Sequence, residues 1–345
     1  MRGHTEFMAN VLVTGGAGYV GSVCCRQLLD QGHSVVVIDN LSTGHRAALP
    51  RDITFFQLDL GDRVALSELL RTYEFEAVFH FAAKALIPES IVNPGTFFES
   101  NVASGIVMLE ALRAAGLRKF VFSSSAAVYG SPSVMPILEE HPKSPVNAYG
   151  ESKLMLENVL QWYAKAYGWS VIIFRYFNAC GAVGDCGEDH KPETHLIPLL
   201  LQTAAGERSV FEIYGDDYPT PDGTCLRDFI HVVDIAQAHV RALDALGGPC
   251  LDIYNVGTGK AHSIKEVCRA VEAVTKIKLP LKVSPRRRGD PPALCASPNR
   301  IKKNLDWKPR HSSLQEIIES AWTWMTAHSS RTPLPGLEAV RGSQL

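Results

Sequence analysis

The sequence predicts an α/β protein: a doubly wound parallel sheet of the Rossmann type, followed by a smaller mixed α/β C-terminal domain. Three observations carry that expectation. Short apolar, β-branched runs alternate with amphipathic helical stretches through the first half of the chain. A glycine-rich turn joins the first such run to the first helix. After Asn178 the character changes, and residues 179–230 become rich in Gly, Pro, Asp and His.

Taken in order, Val11-Leu12-Val13 reads as a buried parallel strand, and Tyr19 to Asp30 as a helix with Val20, Cys24, Leu28 and Leu29 on one face. Gly15, Gly18 and Gly21 lie between and at the start of that helix. Such a turn brings backbone N–H groups and a helix N-terminus up to a diphosphate. Its spacing is GxxGxxG rather than GxGxxG. Ser34 to Ile38 is the second strand, and Asp39 at its end can accept hydrogen bonds from ribose hydroxyls while repelling a 2′-phosphate. Asn40 follows where an arginine would favour NADP, so NAD is the expected cofactor. Further strands are expected at Thr54–Leu58, Ala77–Phe81, Lys119–Ser123 and Val171–Tyr176, and helices at Arg63–Thr72, Phe97–Ala115 and Tyr149–Tyr167. In the second half, helices are expected near Leu196–Ala205 and over Ser313–Thr326, while Ile230–Ala245 and Ile253–Val256 return to the first domain. The expected division is an NAD-binding domain over 8–178 with 231–256 rejoining it, and a substrate domain from 179–230 and 257–328. Residues 1–7 read as a non-native leader and 329–345 as a frayed tail.

Composition narrows the function classes. The 345 residues are 46% hydrophobic and 20% charged, with a formal net charge of −2, an ordinary globular profile. That balance leaves no footprint for nucleic acid, since the run Arg286-Arg287-Arg288 is too short to supply one. No stretch is apolar enough for a membrane span. Eight cysteines lack CxxC pairing, so reduced thiols, a cytoplasmic setting and no metal site are the expectation.

The chemistry is expected at a second motif. Tyr149 and Lys153 are four apart on a helix and so share one face. A free phenol titrates near pH 10, so service as a base at neutral pH needs a shift of about three units, or roughly 4 kcal/mol. A neighbouring ammonium and an oxidised nicotinamide both favour the phenolate. Upstream, Phe120-Val-Phe-Ser-Ser-Ser runs an apolar strand into hydroxyls, one of which can relay a proton to Tyr149. By residue pattern alone the choice among Ser123, Ser124 and Ser125 stays open.

The segments TGGAGYVG, DNLSTGH, FHFAAKA, FSSSAAVYG, YGESK, RYFNACGA, ETHLIP, GDDYPTPDGTCLRDFIHV, YNVGTG and RRRGDPPAL run from residue 14 to 294. In this order they closely resemble the UDP-glucose 4-epimerases of the extended short-chain dehydrogenase/reductase family, over nearly everything from Asn10 to Met325. The resemblance implies an isomerase in which Tyr149 takes the proton of the sugar 4-OH, Ser125 polarises that oxygen, Lys153 assists, and hydride passes to NAD and back through a 4-keto sugar. It implies cofactor contacts from the glycine turn (Gly15, Gly18, Tyr19, Val20, Gly21) and the next strand end (Asp39, Asn40, Ser42, Thr43, Gly44). It adds Asp59, Leu60, Phe81, Ala82, Ala83, Lys84, Asn101 and Ser123, with Tyr149, Lys153 and Tyr176. Substrate contacts would come from Lys84, Ser125, Tyr149, Asn178, His195, Leu196, Tyr214, Arg227, Arg287, Asp290 and Leu294. The two arginines suit a diphosphate, which guanidinium binds bidentately.

Two positions depart from well-known members. His195 stands where some have asparagine, and Leu294 falls where the family varies between tyrosine and a small residue. Leucine is intermediate, so preference among UDP-glucose, UDP-GlcNAc and UDP-pentoses such as UDP-xylose stays open. A sugar-nucleotide dehydratase or decarboxylase would need a carboxylate just after the catalytic hydroxyl, where Ala126 and Ala127 stand. A non-catalytic NAD-sensing protein would have lost Tyr149 or Lys153. Family members are commonly homodimers joined through the helices matching Phe97–Ala115 and Tyr149–Tyr167, and the same assembly is expected here.

Overall fold

The computed structural model describes residues 8–287 and 290–328. The leader at 1–7, the tail at 329–345 and Arg288 lie outside the described residues. Strands β1 (Asn10–Thr14), β2 (Ser34–Asp39), β3 (Thr54–Gln57), β4 (Ala77–His80), β5 (Lys119–Ser125) and β6 (Ser170–Tyr176) come from the first half. The second half supplies β7 (Asn178–Cys180), β8 (Phe211–Tyr214), β9 (Leu226–His231) and β10 (Cys250–Val256). It ends with β11 (Ala261–Ser263), β12 (Leu281–Ser284) and β13 (Ala293–Leu294).

Seven strands form one all-parallel sheet in the order β10-β6-β5-β4-β1-β2-β3. Their central residues are apolar on both faces because helices cover both sides. Along β1 the alternation is visible: Val11 and Val13 enter one core cluster and Leu12 the other. Chain direction around the sheet reverses between β1 and β4, which opens a crevice beyond their carboxyl ends. The helix Val232–Ala245 packs on Tyr19–Asp30, and β10 pairs with β6. Ile301, Leu305 and Trp307 also join that core, although the sequence grouped them with the second domain. They do so because the Trp307 indole donates to the Asp234 carbonyl and carries the chain back onto the helix Val232–Ala245.

A smaller unit stands beyond the sheet's carboxyl edge. It contains a four-stranded sheet (β11-β9-β13, with β7 on β9), the pair β12-β8, and a core under the helices Leu196–Ala204, Ile264–Thr275 and Leu314–His328. Two first-half elements differ from expectation by more than one residue at an end. The single helix expected at Phe97–Ala115 is Pro94–Phe97, a π-helical stretch Phe98–Ala103, and Ser104–Ala114. Strand β5 runs two residues further, through Ser125, because its serines keep the ladder with β6 up to Ser125 opposite Tyr176.

Candidate active site

A cleft of roughly 1320 Å³ runs from the β1/β4 crevice to the smaller unit. At its first end the backbone comes unusually close to itself. Gly15 has φ +73°, and a Cβ there would overlap the backbone nitrogen of Ala82. The helix Tyr19–Asp30 begins at Gly18 with no side-chain cap and no acid in its first turn. Helices 63–72, 148–167 and 264–275, by contrast, are capped by Asp62, Asn147 and Ser263. Gly18, Tyr19, Val20 and Gly21 line the cleft, so an uncapped positive helix end faces it, as an anionic diphosphate requires.

Asp39 closes the far side. It accepts from the Ala17 and Leu41 amides at 3.0 and 2.8 Å, and burial raises its pKa against those hydrogen bonds. Asn40 donates to Asp59 at 2.8 Å, and Ser42, Thr43 and Leu60 line the same end. Gly44 does not line it; a Cβ there would stand 2.8 Å from the Ala17 carbonyl carbon, so this residue seats its loop against the glycine turn. Phe81, Ala82, Ala83 and Lys84 form the floor. Asn101 lies behind the wall: it accepts from the Lys84 amide at 2.8 Å and donates to the Lys84 carbonyl at 3.0 Å. The π-helical stretch turns it inward to hold that loop.

Further along, the cleft brings Ser123, Ser125, Tyr149, Lys153 and Tyr176 together. Ser125 is the last residue of β5, and its hydroxyl also accepts from the Ala127 amide at 3.1 Å. Burial raises the Tyr149 phenol above its ordinary value, and a hydrogen bond with Ser125 pulls it back. The Lys153 amine donates to the Ser123 carbonyl at 2.8 Å and lies 5.9 Å from the centre of the Tyr149 ring. Burial lowers its pKa to about 7, with Glu157 opposing. Burial thus acts on both groups, raising the phenol and lowering the amine. Tyr176 turns its hydroxyl to His239 Nε2 at 2.6 Å.

At the far end lie Asn178, His195, Leu196, Tyr214, Arg227, Arg287, Asp290 and Leu294. Arg227 donates to the Pro291 carbonyl at 3.0 Å and pairs with Asp290 at 3.4 Å, so it holds the 290–291 loop while facing the cleft. The Arg287 guanidinium lies 4.0 Å over the Tyr214 ring. Leu294 sits opposite Arg227 in the β13–β9 register. Asn178 donates to the Asp228 carbonyl at 2.9 Å, and His195 contacts Glu193 at 2.7 Å.

Sequence reasoning missed the support beneath the cleft. Glu157 and Arg175 are fully buried and paired at 2.6 Å. Ser124 donates to Glu157 at 2.5 Å, and Arg175 donates to the Tyr129 hydroxyl at 2.8 Å. Tyr129 in turn donates to Asn255 on β10 at 2.7 Å. The available signal was a glutamate and an arginine at otherwise apolar positions of a helix and a central strand.

Comparisons with known proteins agree with this geometry. The model of the NAD dependent epimerase/dehydratase family matches residues 11–257. A UDP-glucose 4-epimerase of Corynebacterium glutamicum is 46% identical over 322 residues, 93% of this chain and 97% of the relative. A solved UDP-glucose 4-epimerase from Brucella ovis in complex with NAD is 45% identical with a TM-score of 0.88, covering 91% of this chain and 98% of that one. The Bifidobacterium longum UDP-glucose 4-epimerase in complex with NAD+ and UDP is 34% identical with a TM-score of 0.88, covering 92% and 98%. This chain belongs to the NAD dependent epimerase/dehydratase family and, within it, to the UDP-glucose 4-epimerases.

Proposed function

We propose that this protein interconverts UDP-glucose and UDP-galactose at sugar C4, using NAD as a resident cofactor. The observation that carries the reading is the single cleft, with Ser125 and Tyr149 between a dinucleotide crevice at one end and Arg227 and Arg287 at the other. The crevice suits NAD: its glycine turn admits no Cβ at Gly15, its helix end is uncapped, and Asp39 stands at the ribose end. When bound, NAD supplies a hydride acceptor and donor and a positive charge at its nicotinamide end. Ser125 and Tyr149 hold and move the proton at the sugar 4-oxygen, and Lys153 holds the adjoining ribose. Arg227 and Arg287 anchor the diphosphate while the oxidised sugar turns. Ala126 and Ala127 follow Ser125, leaving no carboxylate there for an elimination.

Tyr149→Phe is expected to keep its NAD and lose turnover by about 10²–10⁴-fold, the usual contribution of a positioned acid–base group. Near-normal turnover would overturn the assignment.

The working form is a homodimer. Ile106, Met155 and Trp162 are exposed apolar residues on the helices Ser104–Ala114 and Ala148–Tyr167, at 38%, 39% and 66%. Met155→Asp combined with Ile106→Asp is expected to give a monomer by light scattering; an unchanged mass would place the interface elsewhere. A cytoplasmic setting is consistent with eight free cysteines and with the lack of any membrane-length apolar helix among the described residues.

A further inference from the structure

Between β7 and the helix Leu196–Ala204 the chain takes an irregular course that carries Glu-Asp-His-Lys-Pro-Glu-Thr-His, residues 188–195. Two carboxylate-x-histidine pairs, Glu188/His190 and Glu193/His195, fold toward one another there. One ligand atom each from Glu188, His190 and His195 lies within 4.8 Å of the others. Glu188 contacts His190 Nδ1, and the two imidazole centres are 5.4 Å apart. Behind His195, Glu193 takes the ring Nδ1 at 2.7 Å.

The second observation is a charge imbalance. The side chains of Glu188 and Glu193 are 11% and 7% exposed, yet among the described residues no lysine or arginine lies within ion-pair distance of either. Glu188 has only the two histidine rings as partners among the described residues, while Glu193 also accepts from the Thr194 and His195 amides at 2.6 and 2.7 Å. The carboxylates help raise the phenol pKa of nearby Tyr19, after burial and Cys180. Carboxylates this far out of water need compensation. With both histidines neutral the group carries a charge of −2 and offers imidazole nitrogen and carboxylate oxygen, the donor set of zinc and its neighbours rather than of magnesium or calcium.

We propose that Glu188, His190 and His195 bind one divalent transition-metal ion of the zinc class, with Glu193 orienting His195 from behind. A carboxylate holding one ring nitrogen of a ligating histidine fixes the tautomer and leaves the other nitrogen free for the metal. The ion takes the place of the protons that the histidines otherwise share with the carboxylates, so binding weakens on acidification. Its consequence is structural. Glu188, His190 and His195 all line the cleft, and a metal there staples the irregular segment as a wall next to Leu196. This site shares His195 with the expected substrate contacts but no residue with the proton and hydride chemistry, so its failure would leave the epimerase reading intact.

The test uses the full chain, stripped with a chelator and titrated with Zn2+ and, separately, Co2+. We expect one ion per chain, a Co2+ visible spectrum of low-symmetry N/O coordination, and a raised melting temperature. His190→Gln and Glu188→Gln should abolish stoichiometric binding while keeping the folded circular dichroism spectrum and NAD content. Glu193→Gln should weaken binding by about 10–100-fold, the effect of losing an orienting partner. No stoichiometric binding by the wild type would overturn the proposal and leave imidazolium–carboxylate pairs as the compensation. Binding that survives both His190→Gln and Glu188→Gln would also overturn it, by placing the ion elsewhere.

Discussion

Gly15 shows how much one position can fix. Its φ of +73° is unfavourable for any side chain, and a Cβ would also strike the backbone at Ala82. Gly116 has a similar φ of +81° but open space around it. The pair separates strain from collision. Gly116→Ala is expected to cost stability on the order of 1 kcal/mol and leave NAD in place. Gly15→Ala is expected to lose the co-purifying NAD as well, read as dinucleotide released per chain on denaturation; full NAD content would show that the close approach is dispensable. Such residues were legible in the sequence because their demands are local: a glycine turn, an acid at a strand end, a tyrosine and lysine one helical turn apart. Asn101 and Arg227 were less legible. Their partners, Lys84 and Asp290, reach them only through the tertiary fold.

Among elements, β5 and the helix Ala148–Tyr167 carry Ser125, Tyr149 and Lys153, and a buried polar chain holds them together. Glu157 on the helix accepts from Ser124 on β5 and Arg175 on β6, and Tyr129 links Arg175 to Asn255 on β10. Removing one member of a buried pair leaves an uncompensated charge, whereas replacing both by apolar residues is often tolerated. Arg175→Met is therefore expected to cost about 3–5 kcal/mol in urea unfolding, with much of it recovered when Glu157→Leu is added. A double variant no more stable than the single would contradict this account. Periodicity located these elements but not their ends. It missed the extension of β5 to Ser125, because serines read as turn formers until β6 is seen beside them. It also read one helix where the π-helical stretch Phe98–Ala103 interrupts the regular spacing. That interruption is what turns Asn101 onto the Lys84 loop.

At the scale of the molecule, the parallel sheet was legible from alternation alone, and its order places the crevice at the β1/β4 reversal. The second half was less so. Its short strands β7, β11 and β13 have two or three residues each and take their register from β9, which no local pattern announces. The result is one cleft that runs from the glycine turn at the β1/β4 reversal to Arg227 and Arg287. The central claim is that hydride leaves and returns to the same sugar carbon with no external electron partner. The direct measurement is UDP-galactose carrying deuterium at C4, incubated with purified protein and no added cofactor, with product read by NMR. We expect UDP-glucose with the deuterium retained at C4. Loss of the label to solvent, or turnover only when a dinucleotide is consumed in proportion to product, would contradict it.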